Sequence, residues 1–385
     1  MRKIVCFLLA VGCSCALLMA VLFWEPDTVT EDGDTGRFVC VINPGSPMMN
    51  TYSYWGSIRN GVGRADDELG TYTKVKLFPR FDPEKQIRYL KDAELLGTEG
   101  IITVGEPFSE ELSQVIRRME RRGVPVVLVD TDMPLSGRSC YIGSDNYGAG
   151  KLAAEKIIQD TGGSGDIVVF VSRLDVGNQS ERLTGFQDRI EEQGHMKIVQ
   201  VCQGEADKAT VQEQIRQVTE DYPNLKAIFF AEATSARQAG VFLRETHLGE
   251  GITIIGFDMG KEVVNCVRDG IFAATVAQQG EQMGYQAVKY LLKKTAANRK
   301  WDTEGQRNPG GETERNSGQM SETGGREEAE STETGEGADG KIYTEVFLIT
   351  GENIDGYLRT EKLPQDEKYA SSGKRMETEE AALWE

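Results

Sequence analysis

Residues 252–288 read ITIIGFDMGKEVVNCVRDGIFAATVAQQGEQMGYQAV. The apolar run 252–255 breaks at Gly256 and sets Phe257 and Asp258 where a buried parallel strand would end. Val263, Val264 and Val267 then follow at helical spacing, and a second strand over 272–277 delivers Gln278 to the same kind of position. In an open α/β sheet, ligands collect in the crevice lined by the loops that leave the strand tips. One strand–helix–strand unit thus offers a carboxylate and an amide to one cleft. The local alternative is that Asp258 caps the next helix and Gln278 is a solvated turn residue.

The alternation extends upstream. Strands are predicted over 38–42, 73–78, 100–104 and 126–129, with helices ending near Gly70 and spanning 83–96 and 109–122. Repeated βα units of this kind make a parallel sheet covered by helices on both faces. The first strand runs into an aromatic loop with Tyr52, Tyr54 and Trp55, residues that join an apolar face to a polar tip. The strand over 126–129 ends in Asp130-Thr131-Asp132. After Gly143-Ser144-Asp145-Asn146 and a helix over 148–160 the alternation restarts at 166–171, which marks a domain boundary. A helix over 180–193 would carry Arg182 in its first turn, where a cation opposes the helix dipole. Strands over 198–202 and 227–230 follow, the second ending at Glu232-Ala233-Thr234.

The ends have a different character. Arg2 and Lys3 precede 21 uncharged residues, Ile4 to Trp24, and an acidic stretch follows. That length matches the hydrocarbon core of a bilayer, with the positive flank on the cytoplasmic side, so the rest of the chain should lie outside the cytoplasm. Bulky Leu22, Phe23 and Trp24 close the run and favour an uncleaved anchor. Cys13 after Ala10-Val11-Gly12 supports the competing reading, cleavage with lipidation. From Trp301 to Gly340 the chain is rich in Gly, Glu, Ser and Thr, a composition that predicts disorder. A strand is predicted over 341–350, and 361–385 reads as a loose tail.

The formal net charge of −18 excludes nucleic acid as a partner, since binding it relies on neutralising phosphates. Two histidines exclude a multi-histidine metal centre, and the wide spacing of Cys40, Cys140, Cys202 and Cys266 excludes a zinc cluster. No Gly-x-Ser-x-Gly elbow, phosphate loop or histidine-based site is present. No catalytic residue, metal ligand or cofactor is assigned.

Six stretches in register resemble the periplasmic sugar-binding proteins of the ribose/galactose type, whose fold is shared with the effector domains of LacI-type repressors. They are the strand–aromatic loop–helix over 39–70, Pro125 to Asp130, Gly143 to Asn146 with Gly150, Glu181 to Phe186, Gly256-Phe257-Asp258, and Ala273 to Gln278 with Gly284. The resemblance implies an α/β fold of two doubly wound parallel-sheet lobes joined by a three-stranded hinge, a type I periplasmic binding protein that closes on its ligand. The expected division is an anchor and linker over 1–36, a first lobe of 37–144 plus 279–300, and a second of 145–278 plus 341–360. The acidic insertion over 301–340 and the tail over 361–385 complete it.

Carried over by position, Tyr54 and Trp55 would stack on a sugar ring, and Tyr52 stands where a polar contact is usual. Asp130, Arg182, Asp258 and Gln278 fall at hydrogen-bonding positions. Glu232-Ala233 replaces an Asn-Asp pair, and Thr131 stands where a ribose-type protein has arginine. The implied partner is a small neutral sugar or cyclitol bound by a monomer, handed to an ABC permease or reported by a tethered sensor to a kinase. A LacI-type regulator would need a DNA-binding segment where the apolar run stands.

Overall fold

The computed structural model describes residues 36–42, 54–78, 82–204, 206–305 and 340–360. Tyr52, the apolar run over 4–24, most of the acidic insertion and the tail over 361–385 lie outside the described residues. Among the described residues no helix is long and apolar enough to cross a membrane.

The strands β1 (Arg37–Ile42), β2 (Tyr72–Leu77), β3 (Gly100–Val104), β4 (Val126–Val129) and β5 (Cys140–Ser144) form one sheet with β11 (Lys341–Thr344), in the order β11-β5-β4-β3-β1-β2. A second sheet joins β6 (Gly165–Val171), β7 (Met196–Gln203), β8 (Leu225–Phe230), β9 (Thr253–Phe257) and β10 (Ala274–Gln278) to β12 (Val346–Thr350), in the order β12-β10-β9-β8-β6-β7. The two orders are the same pattern used twice. The first sheet is wholly parallel; in the second, β12 runs antiparallel to β10.

Both faces of each sheet are buried, because alternate strand residues feed different cores. Phe38, Cys40 and Ile42 of β1 face one cluster and Val41 the other; Ala227 and Phe229 of β8 face one cluster, Ile228 and Phe230 the other. The first lobe is covered by helices α1 (Tyr54–Leu69), α2 (Pro83–Leu95), α3 (Glu110–Arg121) and the late α9 (Gly280–Gly305), which packs on α1. The second is covered by α4 (Asn146–Thr161), α5 (Gly177–Gln193), α6 (Lys208–Asp221), α7 (Ala233–Thr246) and α8 (Lys261–Arg268), and α10 (Ile354–Thr360) packs beside β12 and α8. Helices α4 and α5 touch backbone to backbone: a Cβ at Gly150 would strike the carbonyl of Arg182, and one at Gly185 that of Tyr147. This contact fixes the height of α5, and with it Arg182, against the start of α4.

The single strand expected over 341–350 is two strands in two sheets. Lys341 to Thr344 pair with Tyr141 to Ser144, whereas Val346 to Thr350 pair with Gln278 back to Ala274. Residues 341–344 therefore belong with the first sheet, not with the second lobe as expected, and Glu345 stands at the change of sheet. The chain passes between the lobes three times, at 144–146, at 278–280 and at Glu345, and these passages lie side by side through the β5–β11 and β10–β12 pairings. The described cysteines, Cys40, Cys140, Cys202 and Cys266, are all buried thiols, and burial pushes the Cys40 thiol up to about 12.

Candidate ligand-binding cleft

Asp130, Asp258 and Gln278 sit at the carboxyl ends of strands, and Tyr54 and Arg182 reach them from helices α1 and α5. Asp130 follows β4 and Asp258 follows β9, the fourth strand of each repeat. Both have left-handed backbone, φ 66° and 63°, a conformation uncommon for residues other than glycine and enriched in Asp and Asn. The fifth strand of each lobe holds the turn. Asp130 N–H donates to Ile142 O at 3.0 Å and Asp258 N–H to Val276 O at 2.8 Å. Tyr141 Oη donates to Asp130 O at 2.9 Å and Thr275 Oγ1 to Asp258 O at 2.8 Å. The two carboxylates are thus presented by equivalent devices. Asp258 does not cap α8, whose N-cap is Gly260 with no side-chain bond.

Two hydrogen-bonded groups meet in the cleft, one around Asp130 and one around Gln278, and the second joins the lobes. Tyr54, the first residue of α1, donates its hydroxyl to Asp130 Oδ1 at 2.8 Å, and Thr131 Oγ1 donates to Asp130 Oδ2 at 2.7 Å. Gln278 Nε2 donates to Asp258 Oδ1 at 2.9 Å. Gln278 Oε1 accepts from Ser144 Oγ at 2.8 Å and from Arg182 Nη2 at 3.2 Å. Arg182 also donates from Nε to Asn146 Oδ1 at 2.9 Å and from Nη1 to Ala231 O at 3.0 Å, and its guanidinium lies 3.7 Å from the centroid of the Phe257 ring. Trp55 is half-buried, edge-on to Tyr54 with ring centroids 5.0 Å apart, and packs against the first-lobe core.

Arg182 is not in a first turn. Helix α5 begins at Gly177, three residues before the Ser180 that reads as a start signal, and Ser180 Oγ bonds back to Gly177 O. The guanidinium therefore lies in the second turn, buried to 4% exposure, and the argument from the helix dipole does not apply. Its charge is met by carboxylates instead.

Electrostatics follow from burial. Burial raises the Asp258 carboxyl to about 6; the Gln278 bond and Arg182 pull it down, while Asp130 and Glu232 push it further up. Asp130 is raised for the same first reason, against bonds from Thr131 and Tyr54 and the charge of Arg182. Arg182 is lowered by burial and held up by Asp258 and Asp130. The Tyr54 hydroxyl is raised well above 10 by burial beside Asp130 and Asp258, so it remains a hydrogen-bond donor.

Glu232 lies near this group, but its carboxylate serves α7. It is the N-cap, accepting from Thr234 N and Ser235 N at 2.6 Å each and from Ser235 Oγ. Glu232→Ala should lower the urea midpoint by an amount equivalent to about 1–2 kcal/mol, the size of a lost cap, and change ligand affinity less than twofold. A large loss of affinity at unchanged stability would return Glu232 to the ligand.

Ser144 and Asn146, in the group around Gln278, and Thr131, bonded to Asp130, are absent from the set predicted by sequence. Ser144 and Asn146 flank Asp145, whose carboxylate caps α4 through Gly148 N at 2.8 Å, and three polar residues in a row at a strand tip is the signal that marks them. An open cavity of about 460 Å³ beside α3, lined by Lys91, Glu111, Arg117, Arg118 and Arg121 among others, shares no residue with the cleft.

Residues 46–299 match the family model described as "Periplasmic binding protein domain". Among characterised relatives, the ribose import binding protein of Haemophilus influenzae is 26% identical over 233 residues, 60% of this chain and 78% of that protein. The D-apiose import binding protein of Actinobacillus succinogenes is 27% identical over 242 residues, 60% of this chain and 76% of that protein. Among solved structures, the sugar-binding protein of a sugar ABC transporter from Bacillus halodurans superposes with a TM-score of 0.67 at 27% identity, covering 84% of this chain and 99% of that one. Two repeated sheets, three adjacent passages, a polar cluster at facing strand tips and a family match that spans about two-thirds of the chain lead to one assignment: the chain belongs to the periplasmic binding protein domain family, with the sugar-binding proteins of the ribose type.

Proposed function

We propose that this protein captures a small neutral sugar or cyclitol between its lobes, outside the cytoplasm, and delivers it to an ABC-type importer. The observation that carries this reading is the convergence of Tyr54 and Asp130 from the first lobe with Arg182, Asp258 and Gln278 from the second. The family, and relatives named for ribose and apiose import, support the class of ligand.

The chemistry of the cleft favours a guest that donates hydrogen bonds. Arg182 already directs donors to Asn146, Ala231 and Gln278, whereas Asp130 and Asp258 keep acceptor capacity beyond the bonds they receive. Sugar hydroxyls supply donors around the ring edge, while the C–H faces of the ring suit Tyr54 and Trp55. A phosphate would place a further anion beside two buried carboxylates, with one guanidinium already engaged. Both walls come from one chain, so a monomer suffices. No step calls for a metal, a cofactor or a catalytic group.

Calorimetric titration of residues 36–385 against neutral pentoses, hexoses and cyclitols should give saturable binding, with no heat from the matching sugar phosphates. Binding confined to the phosphates would overturn the proposal. The uncharged run from Ile4 to Trp24 favours a second reading, in which the same protein stays tethered and reports its sugar to a sensor kinase.

A further inference from the structure

We infer that Ser144 is a positioning residue, which holds the Gln278 amide in place at the pivot between the lobes before any ligand arrives. The inference rests on the sugar-binding reading above and extends it to a residue that the sequence comparison leaves without a role.

Ser144 is the last residue of β5 and Gln278 the last residue of β10, so they occupy equivalent places in the two repeats. Each stands at one of the passages between lobes. Ser144 pairs with Thr344 at the end of β11, and Gln278 with Val346 at the start of β12, which brings the third passage alongside. Their direct bond, Ser144 Oγ to Gln278 Oε1 at 2.8 Å, therefore ties the first sheet to the second where the lever arm of any lobe rotation is shortest. A bond at that place can survive both opening and closing, whereas contacts deep in the cleft cannot.

The amide is over-determined on one side. Its oxygen accepts from Ser144 and from Arg182, and a guanidinium can only donate, so the oxygen must face that way and the NH₂ must face Asp258. Arg182 fixes which end points where. Ser144, 1% exposed, fixes the position along the passage, because Arg182 and Asp258 both belong to the second lobe and would move with Gln278. Without the serine hydroxyl nothing in this network connects the amide to the first-lobe strands. The Gln278 side chain then follows the second lobe alone, and a ligand held by Asp130 and Tyr54 meets an amide whose place is no longer set.

The test is a double-mutant cycle on affinity and dissociation rate, using Ser144→Ala, Gln278→Ala, the double variant and the parent protein with the tightest sugar of the panel. Ser144→Ala should weaken binding three- to tenfold, mainly through faster dissociation, the range expected for one lost hydrogen bond. In the Gln278→Ala background the same change should cost less than 1.5-fold, because the partner it positions is gone. A purely structural role for Ser144 would give the same loss in both backgrounds, and that result, or no loss in the parent background, overturns the inference. A circular-dichroism melt of each variant confirms that the folded state is being compared. If the parent protein binds no sugar, the functional reading itself falls; if it binds and the cycle is additive, only the role of Ser144 falls.

Discussion

Arg182→Ala is expected to destabilise the second lobe by about 2–5 kcal/mol, because it takes a buried donor away from three acceptors and each buried polar group left unpaired costs about 1–3 kcal/mol. The guanidinium is 4% exposed, bonds Asn146, Ala231 and Gln278, and lies against the Phe257 ring. Its removal leaves Asp130 and Asp258 without a cation, the Ala231 carbonyl without that donor, and a void beside an aromatic ring. Arg182→Lys should recover little, because one ammonium cannot reproduce a planar fork aimed at three acceptors. Urea unfolding at two pH values checks the cause. The loss should be clearly smaller at pH 5 than at pH 7.5, since Asp258, raised to about 6, takes up its proton in between and no longer needs the cation. An equal loss at both pH values would mean that packing, not charge, is what Arg182 supplies.

The parts of the fold that were legible in sequence are those where burial leaves one choice. Runs such as 126–129 and 252–255 are apolar on both faces, which marks them as central strands, and the residue that ends each run must then lie at a sheet edge beside a loop. Asp130, Asp258 and Gln278 were found in this way. Glu345 was not, because 341–350 keeps strand character across the change of sheet and only the pairing partner differs. Helix starts were the weakest point. Val176 caps α5 with no side-chain bond, so Ser180 offered a false signal three residues late. Glu232 shows the converse: a glutamate is an unusual cap, so its place at a strand tip beside a cleft gave no sign of the bonds it accepts from Thr234 and Ser235. Asn146 was hidden by its neighbour Asp145, which carries the cap, and its bond to Arg182 spans elements that no local pattern connects.

Asp258→Asn should stabilise the ligand-free protein at neutral pH while removing most of its affinity. The ordinary carboxyl value of 3.8 is raised to about 6 in the folded protein, chiefly by burial. Between those values the folded state holds the proton more tightly than the unfolded chain, so stability falls as the pH rises through that window and the penalty stands in full above it. Two pKa units correspond to roughly 3 kcal/mol, which a neutral asparagine escapes. The variant should therefore exceed the parent by about 2–3 kcal/mol in urea at pH 7.5 and by far less at pH 4.5, where Asp258 is itself neutral. What persists at pH 4.5 is the part of the penalty still in place there, because the unfolded carboxyl is largely ionised at that pH while the folded one is not. Binding should move the opposite way. An ionised carboxylate accepts strong hydrogen bonds from sugar hydroxyls that an amide oxygen only partly replaces, so affinity should drop ten- to a hundredfold, in line with about 1.5–3 kcal/mol for a bond to a charged group. For the same reason the parent should lose affinity as the pH falls through about 6, and the variant should not. A site whose ionised acid costs stability when empty gains most from a guest that brings donors. If Asp258→Asn binds as tightly as the parent, or its stability advantage does not depend on pH, then Asp258 is neither strained by burial nor relieved by a ligand, and the donor-rich guest loses its main physical support.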